Sequence, residues 1–243
     1  MNKPAPANRI VQLADGVDAV APGLAFIRAS RSLIAADIHL GYEDVIGAAL
    51  PTWSTREIVD TLIAGARETN AREIVLLGDV IHGSRMSEGA ARQIRAGLDA
   101  MREFAQVTIV AGNHEGRSRG AAVLGETVEH AERDGWVLLH GDKPPSAALL
   151  GAGRFAIGHL HPSLALDRGT KAPAFLAGRS AIVVPALTPY SGGLDVRSDA
   201  CLAALAPFNV TSRSELHVVV VTEERCYPFG SLSELCRTTS SMK

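Results

Sequence analysis

An α/β fold with a core of parallel strands is predicted by three features of the sequence. Five short apolar runs each end on a residue type that binds metals. Two amphipathic stretches with helical spacing separate the first three runs. Gly and polar residues bound every run. Short aliphatic runs punctuated in this way read as buried strands. The order strand–helix–strand–helix–strand implies parallel pairing with helices packed outside.

Residues 1–20 read as a loose start leading to a first strand. Leu24–Ile27 and Ser32–Ala36 flank a polar turn, Arg28–Arg31, which predicts a hairpin. Gly41–Trp53 reads as a long loop. Ser54-Thr55-Arg56-Glu57 has the form of a capping box, in which hydroxyl and carboxylate satisfy free N–H groups at a helix start. Ile58, Leu62 and Ala66 carry that helix to about Glu68. A strand at Glu73–Leu77, a helix over Glu88–Phe104 and a strand at Val107–Val110 follow. Ile94, Leu98, Met101 and Phe104 form one stripe of the second helix. Beyond Gly120 the pattern turns strand-rich, with runs at Trp136–Leu139, Phe155–Ile157, Ala181–Val184, Cys201–Leu205 and Leu216–Val221. The 243 residues show no internal repeat and no linker, and one large domain spanning 1–243 is expected.

Composition narrows the function classes. The apolar share of 47% is that of an ordinary globular protein. A net charge of −2 gives no global sign of a chain that lives on bulk phosphate contacts. Cys201, Cys226 and Cys236 form no Cys-x-x-Cys pair and read as free thiols in a reducing compartment. Met1–Pro6 shows no apolar leader and no stretch approaches a membrane span, so a cytoplasmic location without membrane contact is expected.

The strand ends carry the chemistry. They read Asp37-Ile38-His39, Gly78-Asp79, Gly112-Asn113-His114-Glu115, His140-Gly141-Asp142 and Gly158-His159-Leu160-His161. Strand ends on one edge of a sheet are where an α/β protein builds its site. Asp, Asn and His offered together are the oxygen and nitrogen ligand set of a divalent metal centre. Seven ligands around a shared carboxylate suit two ions better than one. Six of the eight His lie in or beside these segments. A lone His is an ordinary core or surface residue; that reading would have to hold six times over and says nothing about the Asp and Asn beside them. His130 and His217 are left to it.

The ordered set Asp-x-His, Gly-Asp, Gly-Asn-His-Glu, His and Gly-His-x-His resembles the calcineurin-like metallophosphoesterase superfamily across most of the chain. Asp37–Tyr42, Leu77–His82 and Gly158–Pro162 are similar to the branch that contains the SbcD nuclease, as are Val184-Pro185-Ala186 and Ser191-Gly192-Gly193. Within it the chain looks most like the short phosphoesterases of the ligase-associated DNA damage response type. The resemblance implies a four-layer αββα sandwich of two mixed β-sheets flanked by helices. It implies Asp37, His39 and His161 on one metal, Asn113, His140 and His159 on the other, and Asp79 bridging. Two divalent ions are expected, manganese first, with Mg2+, Fe2+ or Zn2+ as alternatives. A shared carboxylate holds such ions about 3.5–4 Å apart, where a water loses a proton near neutral pH and attacks phosphorus in line.

The resemblance implies that His114 faces the leaving oxygen as proton donor or charge stabiliser. Many relatives read Gly-Asp-x-x-Asp, whose last Asp orients this His; here His82 stands in its place and is a second catalytic candidate that touches the phosphate. Arg85, Arg117 and Arg119 flank these motifs and are candidates for a further phosphate contact. Gly116–Gly120 fits the Gly-x-Ser-x-Gly elbow around Ser118, but the elbow needs Ser directly after a strand. Gly151–Ala156 fits a loose dinucleotide pattern, yet precedes a strand instead of following one.

The expected activity is therefore metal-dependent phosphodiester hydrolysis, with single-stranded or gapped DNA as substrate and a small phosphate ester as the alternative. Association with DNA ligase and helicase repair proteins is implied by the same resemblance. Full-length SbcD proteins carry a long C-terminal extension that this chain lacks, which puts an SbcC-like ATPase partner in doubt.

Overall fold

The computed structural model describes residues 8–42, 44, 55–82, 86–114, 121–151, 153–166, 169–188 and 192–240. The chain opens with an antiparallel meander of β1 (Ile10–Ala14), β2 (Val17–Val20), β3 (Leu24–Ile27) and β4 (Ser32–Ala36). Helix α1 (Thr55–Thr69) then leads to β5 (Glu73–Leu77), and α2 (Glu88–Phe104) to β6 (Gln106–Val110). Strands β4, β5 and β6 are parallel, and the six lie in the order β1-β2-β3-β4-β5-β6.

Strands β4 and β5 read SLIAA and EIVLL, without apolar–polar alternation, and every residue of both is buried. That is the signature of parallel strands covered on two faces. Leu33, Ala35, Ile74 and Leu76 pack with Val59, Leu62 and Ala66 of α1 and Ile94, Leu98 and Met101 of α2. Ile34, Ala36, Val75 and Leu77 point the other way, into a second sheet. The N-cap predicted at Ser54 lies outside the described residues. The second helix is capped by Ser87, whose hydroxyl accepts from the Ala90 N–H at 3.1 Å.

The second half adds α3 (Ala121–Leu124), β7 (Ala131–Arg133), β8 (Trp136–Leu139), α4 (Ala147–Leu150) and β9 (Phe155–Ile157). After these come β10 (Pro162–Ala165), β11 (Lys171–Gly178), β12 (Ala181–Val183), β13 (Leu194–Asp195) and α5 (Asp199–Leu205). The last elements are β14 (Leu216–Val221), β15 (Cys226–Ser231) and α6 (Leu232–Ser240). These strands form a nine-stranded mixed sheet in the order β13-β10-β11-β12-β9-β8-β7, with β14 and then β15 attached to β11. Ala156, Ile182 and Val219 face the first sheet, while Phe155, Val183 and Val218 face α5 and α6. The result is four layers: helices, mixed sheet, mixed sheet, helices.

Three expectations change. Cys201–Leu205 is a helix, not a strand. An apolar run of this length does not distinguish the two by period. Ser198 decides it, its hydroxyl accepting from Cys201 N–H at 3.1 Å as an N-cap. Residues 10–20 are a strand pair instead of a loose start. The third concerns β10, β11, β13, β15 and α6, which no clear apolar run announces. Strand β11 begins exposed and is buried only from Ala174.

Both sheets are tied at the edge opposite the parallel strand ends. The Glu73 carboxylate accepts from Ser32 Oγ (2.7 Å), Thr108 Oγ1 (2.6 Å) and Arg133 Nε (2.7 Å), joining β4, β5, β6 and β7. Burial alone would raise the Glu73 pKa; the bonds from Arg133, Thr108 and Ser32 outweigh it and hold it below its ordinary value.

Candidate metal centre

Strands β4, β5 and β6 of one sheet and β8 and β9 of the other run parallel, so their C-terminal ends share an edge. Asp37 follows β4, Asp79 lies two residues past β5, His140 follows β8, and His159 lies two residues past β9. The turns that aim these side chains are unusual. Asp37 (φ 51°), His39 (46°), Asp79 (44°), His159 (61°) and His161 (45°) all lie in the left-handed region. Each such non-glycine residue costs about 1–3 kcal/mol, a strain that clusters where function demands it. The loops after β4 and β5 pair onward beyond the sheet: His39 N–H donates to Asp79 O (3.0 Å) and Leu40 N–H to Val80 O (2.7 Å). His82 N–H then donates to Leu40 O at 3.2 Å.

Two groups of ligand atoms result. Asp37, His39 and His161 form one, and Asp79, His140 and His159 the other; the ligand atoms within each lie within 4.8 Å of one another. The groups abut. Asp37 Oδ2 accepts the His159 N–H at 2.8 Å, and Asp37 Oδ1 lies 3.6 Å from His140 Nδ1. Asp79 Oδ2 is 3.4 Å from His140 Nε2. Asn113 joins the second group, its Oδ1 2.8 Å from His140 Nε2. Glycine permits the close packing: a Cβ at Gly78 would lie 2.5 Å from the His140 ring, and one at Gly158 2.7 Å from Asp37 Oδ2.

The donors fit divalent cations. Asp37 is fully buried, and its Oδ1 has no hydrogen-bond partner. An unpaired buried carboxylate oxygen is costly, and a cation among Asp37, His39 and His161 would satisfy it. His140 Nδ1–H donates to the Leu77 carbonyl at 3.1 Å, which aims Nε2 at the second group. Burial would lower the His140 pKa, but contact with Asp79 and the charge of Asp37 raise it to about 9. Burial would likewise raise Asp79; His140 and the backbone N–H of His114, 2.9 Å away, hold it at about 2. His39 is pushed down to about 3 by burial, against the pull of Asp79. Burial and the neighbouring His140 lower His159.

Residues 30–205 match the family model described as calcineurin-like phosphoesterase. The chain belongs to that family. It is thus a hydrolase of phosphate esters, and the family works with two metal ions. A Pseudomonas putida nuclease MPE aligns with a TM-score of 0.69 at 18% identity, over 92% of this chain and 100% of that one. This likeness is one of fold. A dimetal phosphatase from Danio rerio aligns over 82% of this chain and 95% of its own at 15% identity, with a TM-score of 0.36. No curated protein matches the sequence.

All seven ligand candidates of this phosphoesterase therefore meet at one edge. His82 and His114 meet there too, outside both groups. His82 Nδ1 lies 3.3 Å from His39 Nδ1, and the His82 and His114 rings stack at 5.3 Å with a 26° interplanar angle. His114 Nε2 lies 3.8 Å from Asp79 Oδ2. Arg85, Arg117 and Arg119, with Glu115 and Ser118, lie outside the described residues. His130 and His217 stand apart, the first 3.9 Å from Glu132 and the second in β14. Composition could not single out the Leu77 carbonyl as the group that orients His140. Tyr42, edge-on to His82 at 4.4 Å, belongs to the first motif but carried no role in the sequence reading.

Proposed function

We propose that this phosphoesterase is a dinuclear, manganese-preferring phosphodiesterase that cuts DNA in flexible single strands, gaps or ends. The observation that carries the reading is the His82–His114 pair beside the ligand groups. Burial, and then the proximity of His114, lower the His82 pKa below its ordinary value, which favours a neutral ring near pH 7. A carboxylate at this position would repel an incoming phosphodiester; a neutral imidazole hydrogen-bonds to it without that penalty. His114, exposed at the rim, would then be free to reach the leaving oxygen. The fold shared with a Pseudomonas putida nuclease agrees with this reading.

Asp37, His39 and His161 would hold one ion, and Asn113, His140 and His159 the other, with Asp79 between them. Two divalent cations there supply positive charge that neutralises the phosphoryl oxygens and makes water more acidic. Leu77 keeps His140 in the tautomer whose Nε2 is available. His82 orients the diester, and His114 donates the proton that the departing oxygen takes up. Association with DNA ligase and helicase proteins, and a cytoplasmic location, rest on the sequence alone.

The test is a substrate panel with manganese, magnesium or chelator: a closed single-stranded circle, a duplex plasmid and small phosphodiesters. Cutting of the circle, which has no ends, demonstrates endonuclease action. Rapid hydrolysis of small esters with no DNA cut, in protein shown to hold metal, would instead establish a small-ester phosphoesterase.

A further inference from the structure

Beside the metal centre lies a cleft of about 690 Å³ that none of the seven candidate ligands lines. One face of α1 forms its wall through Ile58, Thr61 and Ala64, and Pro22 and Leu187 lie across from it. Its lining is hydrogen-bonded to a strand end that carries ligands. Leu187 N–H donates to the Ala36 carbonyl at 3.0 Å, and Asp37 is the next residue. Lys171, another lining residue, donates from Nζ to the Gly192 and Gly193 carbonyls at 3.1 and 3.0 Å. Gly193 lies against His161, close enough that a Cβ there would sit 2.6 Å from the His161 carbonyl.

The charge of the lining shows what the cleft suits. Among the described residues that line it, Arg9 and Lys171 are offset by Glu57 and Glu223. Both cations are also engaged: Arg9 holds Glu68 at 2.9 Å, and Lys171 holds the two glycine carbonyls. A second phosphate would require a surplus of free cationic donors. An apolar body with few polar groups, here the hydroxyl of Thr61, suits a flat, neutral heterocycle with its sugar.

We propose that this cleft binds the base and sugar of a nucleotide flanking the phosphate held at the metal centre. This rests on the reading that the substrate is a DNA strand. The site would position the strand through apolar and hydroxyl contacts, without phosphate contacts. It also accounts for how a chain with net charge −2 could hold DNA.

Ala64 is exposed on α1, so Ala64→Trp places a large ring in the cleft without disturbing the core. Deoxyadenosine and thymidine, which carry no phosphate, serve as probes in saturation-transfer NMR. Wild type should transfer saturation to the base protons, and Ala64→Trp should abolish that transfer at unchanged melting temperature. The ratio of oligonucleotide cleavage to bis(p-nitrophenyl) phosphate hydrolysis should fall about ten-fold, as loss of the apolar burial of one base implies. Thr61→Trp, from the same wall, should do the same if Ala64→Trp fails to fold. No transfer to the bases in wild type, or a wild-type cleavage ratio in both variants, overturns the proposal. Nucleoside binding that the variants abolish, in a protein that cuts no DNA, would leave the cleft a nucleoside site and overturn the nuclease reading alone.

Discussion

Gly158→Ala tests how tightly the metal edge is built. Gly158 follows β9, and an added Cβ would meet Asp37 Oδ2 at 2.7 Å, Ala36 Cβ at 2.8 Å and Leu77 O at 3.2 Å. Asp37 and Ala36 are both fully buried, so neither can swing into solvent. Reaching ordinary contact at 3.4 Å would push the Asp37 carboxylate back by about 0.7 Å. Overpacking of this kind costs about 1–3 kcal/mol. A displacement of about 1 Å in a catalytic array costs about 10²-fold in rate, so a loss on the order of 10–10²-fold is expected. The assays are thermal melting, metal content after desalting, and manganese-dependent hydrolysis of bis(p-nitrophenyl) phosphate. Wild-type metal content and turnover in a folded Gly158→Ala protein would refute the reasoning, because Asp37 would then have room that the structure denies it.

Chelation should abolish hydrolysis, and Asp79→Asn should lower metal content and activity more than any other ligand change, since Asp79 lies between both groups; elemental analysis beside the rate checks this. His114→Ala should keep its metal but lose about 10²–10⁴-fold in turnover. That loss should be smallest for p-nitrophenyl esters, whose leaving group needs no proton, and loss of metal would show a structural role instead. Glu73→Gln should destabilise the fold by about 1.5–3 kcal/mol at pH 7, measured by urea denaturation of metal-free protein. The Glu73 pKa is depressed in the fold, so its contribution is complete above the unfolded value near 4.5 and is lost as pH falls through the folded value. The gap between wild type and variant should therefore close on acidification; a gap independent of pH would mean that the Glu73 charge is not what stabilises.

Much of this protein was legible in its sequence because the chemistry sits at the ends of buried parallel strands. Such strands are unbroken apolar runs: Ser32–Ala36, Glu73–Leu77, Trp136–Leu139 and Phe155–Ile157 emerge with the bounds the sequence predicts, and the run at Val107–Val110 starts one residue earlier, at Gln106. Their following residues named all seven ligand candidates. Where strands are partly exposed the period fades, which is why β1, β11 and β15 went unseen. Cys201–Leu205 was misread because a short apolar run has no period of its own and its cap, Ser198, lies just outside it.

Tertiary structure alone decided what surrounds the ligands. Nothing local in the chain says that Asp37 Oδ1 is left without a hydrogen bond, that five ligand residues adopt left-handed backbone, or that the Leu77 carbonyl fixes the His140 ring. Nor could spacing place a neutral cleft beside the centre, since its walls come from α1, from Pro22 and from the segment after β12. Residue type determines which atoms can bind a metal. Which atoms meet, at what distance and in what field, depends on two sheets packing face to face so that strand ends far apart in sequence share one edge.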